Sequence, residues 1–292
     1  SALFTAVFLT SVIAQQLRRR EAELAAALVE ARNQANACEI ARSGLIQTQE
    51  MRLAYMRRVS HELRAPLSTV GMTLRVLLDQ YGTQLPEHLR AMVGRAEARI
   101  ETMLDLVGDL LTLSRMREAP LAEARRLVSV PALVAGVVDS LQDAASAHGV
   151  AVVVELPPEL PDLYGQADAL HTMLLNLVGN AIKYTPSGGQ VTVGASYDAS
   201  SSAIVLSVRD TGMGIAAADL PRLFEEFYRT EAARQSGIHG TGLGLAIVRL
   251  TAEAHGGEVH VASEPGQGSV FSVRLPIADR ESMPSGEAPA RQ

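Results

Sequence analysis

The sequence predicts an α plus α/β fold, in which a helical hairpin that dimerises into a four-helix bundle precedes an α/β sandwich with a mixed, largely antiparallel sheet. Glycine supports this division, because only five of the 23 glycines precede Leu127 and the other 18 follow it. Apolar residues recur every seven positions in the first part, whereas short apolar runs between turn residues mark the second. The 292 residues are enough for about two domains.

Composition and charge narrow the class of protein. The net charge of −6 at pH 7 argues against nucleic acid as a partner. The single cysteine, Cys38, cannot form an intrachain disulfide, which fits a reducing compartment.

The apolar start of the chain has two interpretations. Ala2–Ala14 carries no charged residue and precedes Arg18–Arg20, but it is shorter than the roughly 18–20 residues that a spanning helix needs. Residues 1–16 are either the end of a transmembrane helix or the apolar start of a soluble helix. The arginines directly after the run favour the first interpretation, which predicts a membrane link with the remaining chain on the cytoplasmic side.

Residues 17–50 predict a coiled-coil-like signalling helix, because a heptad row runs through them. The row contains Leu17, Leu24, Ala31, Cys38 and Leu45. Cys38 is therefore interpreted as a small apolar packing residue.

Residues 51–118 predict a helical hairpin. The first helix reaches about Gln80, the glycine and proline in Tyr81–Pro86 predict a turn, and a second helix follows over about Glu87–Arg117. The apolar stripes are too wide for two helices alone to cover, so we expect two hairpins to form a four-helix bundle in a homodimer.

Residues 119–126 are interpreted as a linker, residues 127–277 as the sandwich domain, and the polar residues 278–292 as a disordered tail. The predicted strands are Val150–Leu156, Gln190–Tyr197, Ala203–Asp210, Gly257–Glu264 and Ser269–Pro276. The predicted helices are Pro131–Ala147, Ala167–Tyr184 and Leu243–Ala254.

The stretch RRVSHELRAPLSTV places His61 on the first helix of the hairpin. His61 follows Val59 by two residues, or about 200° around the helix, so it points away from the apolar rows. An acid such as Glu62 that holds one ring proton makes the other ring nitrogen a better nucleophile. Pro66 removes a backbone hydrogen bond and loosens the helix beside this pair. The alternative is an ordinary exposed histidine.

The stretch NLVGNAIKYTP contains Lys183, the only lysine of the chain. Asn176, Asn180 and Lys183 are four and three residues apart, so they share one stripe of a helix. Amide oxygens suit Mg²⁺ when phosphates complete its shell, and an ammonium group is a compact charge for a polyphosphate. The alternative is a helix end with a cation near its last carbonyl groups.

Two later segments also suit a nucleotide. Asp210 ends a predicted strand before DTGMGI, where its carboxylate can accept from the exocyclic amine of adenine, although the segment is also typical of a turn. The glycine loop, Gly240–Gly244, opens a helix and lets backbone N–H groups approach phosphates. No strand leads into this loop, which excludes a Rossmann motif. The lid segment, Phe224–Gly240, is polar and is a candidate cover for the phosphates.

In this order and spacing, the segments resemble the bacterial sensor histidine kinases of two-component systems over Arg52–Pro276. SHELRAPL resembles the phosphoacceptor box of that family, NLVGNAIKYTP the asparagine box and DTGMGI the first glycine box. FEEFYR resembles the phenylalanine box and GTGLGL the second glycine box. The resemblance implies an ATP-binding sandwich of the kind found in gyrase-type ATPases.

The resemblance also implies roles for individual residues. His61 would be autophosphorylated from ATP with Glu62 as the base, and Asn176 and Asn180 would hold Mg²⁺. The other implied positions are Lys183 at phosphate, Tyr184 against the nucleotide, Asp210 at the adenine amine, Gly212 and Gly214 beside the base, Arg229 at the γ-phosphate, and Gly240, Gly242, Leu243 and Gly244 in the phosphate loop. The phosphoryl group would then pass to an aspartate in the receiver domain of a response regulator.

One position departs from the family pattern. Many members have Thr or Asn four residues after the histidine, where this chain has Ala65, so phosphatase activity is not implied. Two other functions stay open: a gyrase-type ATPase that forms no phosphohistidine, and a coiled-coil scaffold with a degenerate nucleotide site.

Overall fold

The computed structural model describes residues 58–60, 62–118 and 125–277, together with the helical positions 20, 30, 32, 34 and 39. The expectations for the apolar start, for His61 and for the tail lie outside these residues, as do those for most of the heptad helix and the linker. The chain divides into two compact units, Ser1–Tyr55 and Met56–Gln292, and the hairpin and the α/β domain belong to the second. No helix within the described ranges has the length and apolar character that crossing a membrane requires.

The predicted hairpin is present. Helix α1 covers residues 62–81 and continues through Pro66 without a break, so the proline does not end the helix. A turn over residues 82–86 leads into α2, Glu87–Glu118. Arg75 of α1 donates to Glu97 at 2.8 Å and also contacts Glu101 across the hairpin. These ion pairs lie at the surface, where each such pair contributes at most about 1 kcal/mol to the free energy of unfolding.

The α/β domain follows the predicted order with a few additions. Its elements are β1 (Arg126–Val128), α3 (Val130–His148), β2 (Ala151–Glu155), β3 (Leu163–Gly165), α4 (Ala167–Tyr184), β4 (Gln190–Asp198), β5 (Ala203–Asp210), a 3₁₀ turn (Leu220–Arg222), α5 (Glu231–Gln235), α6 (Gly244–Ala254), β6 (Glu258–Glu264) and β7 (Gly268–Pro276). The sequence analysis missed β1, β3 and α5, which are too short to show a period. β1 begins at Arg126, inside the expected linker.

The main sheet has five strands in the order β2-β4-β5-β7-β6. Only the β2–β4 pair is parallel, which confirms the mixed, largely antiparallel sheet. A small antiparallel sheet of β1 and β3 stands apart from it.

One face of the main sheet forms the core. Alternate residues of β4, β5 and β7 are buried, as the two-residue period of a strand requires. They pack in one cluster with α3, α4 and α6, to which α4 contributes fully buried Leu170, Met173 and Leu174. Burying each such side chain stabilises the fold by about 1.5–3 kcal/mol, so α4 is held firmly against the sheet.

His255 joins the end of α6 to the small sheet. Its side chain is 9% exposed, Nδ1–H donates to the Thr251 carbonyl at 2.7 Å, and Nε2 accepts the Gln166 N–H at 3.1 Å. The Gln166 contact requires the neutral ring with its proton on Nδ1, because a protonated ring has no acceptor for the Gln166 N–H. Burial lowers the pKa of His255 below its ordinary value, against the smaller opposite effect of the Thr251 hydrogen bond.

This arrangement predicts a pH-dependent contribution to stability. A lowered pKa means that the unfolded chain binds the proton more readily, so stability from His255 is present above pH 6.5 and is lost as the pH falls below it. We expect His255→Phe to lower the free energy of unfolding at pH 7.5 by about 1–3 kcal/mol, because Gln166 loses its acceptor. Urea unfolding at pH 7.5 and 5.5 measures both effects.

His88→Phe is the matched control, since His88 is exposed on α2. The difference between wild type and His255→Phe should shrink at pH 5.5, while the control follows wild type at both values. A constant difference would contradict the proposed neutral ring.

Candidate active site

A cleft of about 590 Å³ opens along the polar side of α4, within the range of small-molecule sites in proteins. Most of the residues that the sequence analysis assigned to a nucleotide line it. They are Asn176, Asn180, Lys183, Tyr184, Asp210, Gly214, Arg229, Gly240, Gly242 and Gly244. Four separate segments of the chain therefore converge on one cavity.

The other assigned residues lie elsewhere. Gly212 is buried and is not among the residues that line the cleft, and a Cβ there would be 2.5 Å from the Tyr184 carbonyl oxygen. Leu243 is fully buried and packs with Leu113 and Ile247, so its side chain joins the loop to the hairpin and does not face the cleft. Glu62 is exposed and is not among the residues that line the cleft.

Asp210 is a buried carboxylate at the end of β5, 6% exposed. Oδ1 accepts the N–H groups of Gly212 at 2.8 Å and of Ser269 at 3.2 Å. Burial raises the pKa of Asp210 above its ordinary value, and these hydrogen bonds oppose the rise. An anchored carboxylate in a nearly dry position is a strong and directional acceptor for a donor in the cleft.

The polar stripe of α4 faces the glycine loop. Asn176 donates from Nδ2 to the Thr172 carbonyl at 2.9 Å, which leaves Oδ1 directed towards Gly244. A Cβ on Gly244 would lie 2.5 Å from that oxygen, so only glycine fits beside it. The described residues contain no cluster of three His, Cys, Asp or Glu side chains that would hold a metal by themselves. The amide oxygens fit a cation whose shell is completed by a phosphate ligand.

Arg229 is fixed on the lid segment. Nη2 donates to the carbonyl oxygens of Ala233 at 2.8 Å and Ile238 at 2.5 Å. Its buried Nε has no hydrogen-bond partner among the described residues. Arg229 lines the cleft in this arrangement while it braces the lid segment, so a contact with a γ-phosphate stays a prediction.

The lid segment and the glycine loop are tied to each other at Phe227. The Phe227 N–H donates to the Gly242 carbonyl at 3.0 Å. Gly242 has φ +75°, and a Cβ there would lie 2.7 Å from the Phe227 carbonyl carbon. A glycine is therefore required where the two backbones meet.

Sequence reasoning missed the contribution of the hairpin to this cleft. Arg64 of α1 and Leu104, Asp105, Gly108 and Asp109 of α2 also line it. Thr241 of the glycine loop donates from Oγ1 to Asp109 Oδ2 at 2.6 Å. Asp105 and Asp109 are four residues apart and share one face of α2, a spacing visible in the sequence, but no pattern says which element that face meets.

Two family models match the chain. Residues 51–119 match the His Kinase A (phospho-acceptor) domain, and residues 165–279 match the histidine kinase-, DNA gyrase B- and HSP90-like ATPase domain. The chain belongs to the sensor histidine kinases. The chain carries both domain matches in the order that the sequence boxes predicted.

Curated relatives agree with this family. The phosphate regulon sensor protein PhoR of Pseudomonas aeruginosa is 35% identical over 226 residues, which cover 77% of this chain and 50% of PhoR. The sensor histidine kinase WalK of Bacillus subtilis is 33% identical over 79% of this chain and 37% of its own. The chain thus spans about half the length, or less, of these relatives.

Solved structures share the fold. Full-length ShkA in complex with AMPPNP aligns with a TM-score of 0.59 and 32% identity, over 77% of this chain and 46% of that chain. The histidine kinase AdeS of Acinetobacter baumannii aligns with a TM-score of 0.52 and 24% identity, over 75% of this chain and 98% of its own.

The first glycine box supplies a test of the cleft wall. Gly214 has φ +66°, and a Cβ there would overlap the Glu264 carbonyl oxygen. We expect Gly214→Ala to lower the free energy of unfolding by about 2–5 kcal/mol, from backbone strain together with overpacking. Urea unfolding followed by circular dichroism measures the loss.

Gly266→Ala is the matched control. Gly266 has φ +78° but nothing within 4 Å of an added Cβ, so it should lose only the conformational part, about 1–2 kcal/mol. Equal losses in the two variants would show that Gly214 and Glu264 are not in close contact.

Proposed function

We propose that this protein is an ATP-dependent protein-histidine kinase that phosphorylates His61 and passes the phosphoryl group to a receiver-domain aspartate of a response regulator. The convergence of the asparagine stripe, Asp210 and the glycine loop on one cleft carries the proposal. The family match to an ATPase domain and the AMPPNP complex of ShkA support ATP as the nucleotide.

The adenine end of the nucleotide is assigned to Asp210. Its carboxylate is anchored by two backbone N–H groups, so it cannot turn away from the cleft without leaving them unpaired. A buried carboxylate accepts from the 6-amino group of adenine and rejects a 6-oxo purine, which would direct an acceptor at it. Tyr184 and Gly214 line the same region and give the base its walls.

The phosphate end is assigned to Lys183, Asn180 and Asn176 on α4 and to the glycine loop at the start of α6. The loop presents backbone N–H groups and the positive end of a helix dipole. Mg²⁺, when bound through Asn176 and Asn180, would neutralise charge that develops on the transferred phosphoryl group.

Phosphoryl transfer to His61 depends mainly on how the imidazole and the γ-phosphate are positioned relative to each other. One imidazole nitrogen attacks the γ-phosphorus, the bond from that phosphorus to the β–γ bridging oxygen breaks, and ADP leaves. Glu62 takes the proton from the other ring nitrogen, which leaves a neutral phosphohistidine. Ala65 offers neither hydroxyl nor amide to position water, so the proposal does not include a phosphatase.

The remaining assignments concern partners and location. Large apolar side chains of the hairpin are exposed in the single chain, among them Met72, Met92 and Met103. A second copy covers such a surface in a four-helix bundle, so we propose a homodimer. The proposal also keeps the domain division at residues 51–118 and 127–277, and a membrane link through Ala2–Ala14 with the kinase domains in the cytoplasm.

The phosphoacceptor is tested by labelling. Incubation of wild type with Mg²⁺ and [γ-³²P]ATP should give phosphoprotein that is labile in acid and stable in base. His61→Gln should abolish the label while nucleotide binding, followed by calorimetry with AMPPNP, persists. His88→Gln is the control and should keep the label.

Two outcomes would contradict this assignment. Label in His61→Gln would place the acceptor elsewhere. Sustained release of inorganic phosphate without phosphoprotein in wild type would instead indicate a gyrase-type ATPase.

The assignment of Asp210 predicts a loss of base discrimination. We expect Asp210→Asn to weaken ATP binding roughly ten- to hundredfold, because a hydrogen bond to a charged group contributes about 1.5–3 kcal/mol. Calorimetric titration with ATP and inosine triphosphate measures this loss, since inosine has an oxo group in place of the amine. Wild type should bind ATP more tightly than inosine triphosphate. If Asp210→Asn keeps this preference, another group accepts the hydrogen bond from the adenine amine.

A further inference from the structure

Asp109 of α2 reaches into the nucleotide site at the place assigned to phosphate. Its Oδ2 accepts the Thr241 hydroxyl at 2.6 Å, and the same hydroxyl accepts the Leu243 N–H at 3.2 Å. Helix α6 begins at the next residue, Gly244. The carboxylate is therefore connected through one hydroxyl to the N-terminus of an 11-residue helix, where anions bind.

The only lysine of the chain, Lys183, lines the same cleft and its charge acts on this carboxylate. Burial raises the pKa of Asp109, a rise to which the neighbouring Asp105 adds, while the Thr241 hydrogen bond and the charge of Lys183 favour the ionised form. Thus Thr241 of the glycine loop and Lys183, two groups suited to a phosphate, both act on Asp109. The carboxylate has the chemical surroundings of a bound phosphate oxygen.

Packing holds Asp109 in this position. Leu113, one turn further along α2, is buried in a cluster with Leu243 and Ile247 of the ATPase domain. Thr251 of α6 adds a contact to the Met116 sulfur at 3.6 Å. Because α2 itself is packed on α6, Asp109 stays beside the loop for as long as this packing holds.

We propose that Asp109 is an internal anion that competes with the phosphates of ATP for the glycine loop, so that docking of α2 and binding of ATP oppose each other. The inference rests on the proposed function. A triphosphate that enters the cleft meets the like charges of Asp109 and Asp105, which line it together with Lys183. Thermodynamic linkage between the two events then requires reciprocal effects: release of α2 from the ATPase domain raises the affinity for ATP, and binding of ATP promotes that release.

The test is calorimetric titration of the full chain with Mg²⁺ and AMPPNP. Asp109→Asn removes the charge and keeps the size of the side chain, and we expect it to bind AMPPNP roughly tenfold more tightly, a coupling of ordinary size. Asp105→Asn should show a smaller gain, because Asp105 lines the cleft without a hydrogen bond to the loop. Adenosine affinity should stay unchanged in both, since the competition concerns phosphate.

Asp139→Asn is the matched control. It removes the same charge from an exposed position on α3 and should leave both affinities at the wild-type value. Leu113→Ala is a second variant that weakens docking without touching a charge, and it should also tighten AMPPNP binding.

The outcomes separate the two proposals. Suppose that wild type binds AMPPNP and is labelled at His61 by [γ-³²P]ATP. If Asp109→Asn then binds AMPPNP no more tightly than wild type, the proposed competition is wrong and the kinase function stands. An equal gain for adenosine and AMPPNP would also overturn it, since that result indicates a general opening of the cleft. If neither wild type nor any variant binds AMPPNP, the proposed function fails together with the inference.

Discussion

The burial of the Asp210 carboxylate at the end of β5 is the constraint on which the cleft depends. A buried charge is costly unless hydrogen bonds satisfy it, and the donors here are backbone N–H groups of Gly212 and Ser269. The Ser269 N–H can approach the Asp210 carboxylate because the preceding residue is Gly268, whose missing Cβ would overlap the Asp210 carbonyl oxygen. The Gly212 N–H is itself that of a glycine. The strand pair β5–β7 and the two glycine positions therefore fix one acceptor at the floor of the cleft.

Helix α4 connects this floor to the phosphate end. Its apolar face, with Leu170 and Met173, is fully buried against the sheet, and its opposite stripe carries Asn176, Asn180 and Lys183 into the cleft. One helical period thus serves both packing and binding, because residues three and four apart share a face. A substitution that shifts α4 in the core would move all three polar groups together.

The sequence predicted the elements with a clear period and the residues with a distinctive chemistry. The five strands of the main sheet and helices α3, α4 and α6 agree with the structure to within one or two residues at most ends. Strands β1 and β3, of three residues each, and helix α5, of five, were missed because they are too short to show a repeating pattern. The assignment of Leu243 to the ligand surface came from its place in a box, and the box could not show that its side chain is buried against α2.

The contact between Asp109 and Thr241 could not be predicted for a different reason. The two residues are 132 positions apart, and their meeting depends on how the hairpin packs on the ATPase domain. Nothing in the local pattern of either segment encodes that packing, since Leu113 and Leu243 are ordinary apolar residues within their own elements.

The packing of α2 on the ATPase domain also bears on the proposed mechanism. In the docked arrangement, α2 places a carboxylate at the loop that is assigned to the triphosphate. Under the proposed competition, each of the two weakens the binding of the other to this loop. Under the proposed function, phosphorylation of His61 needs the triphosphate at this loop and its γ-phosphorus in line with the imidazole. The two proposals together therefore require a second arrangement, in which α2 has left the loop. The small cluster around Leu113 is the interface that such an exchange has to break, and its size limits how much free energy a signal must supply.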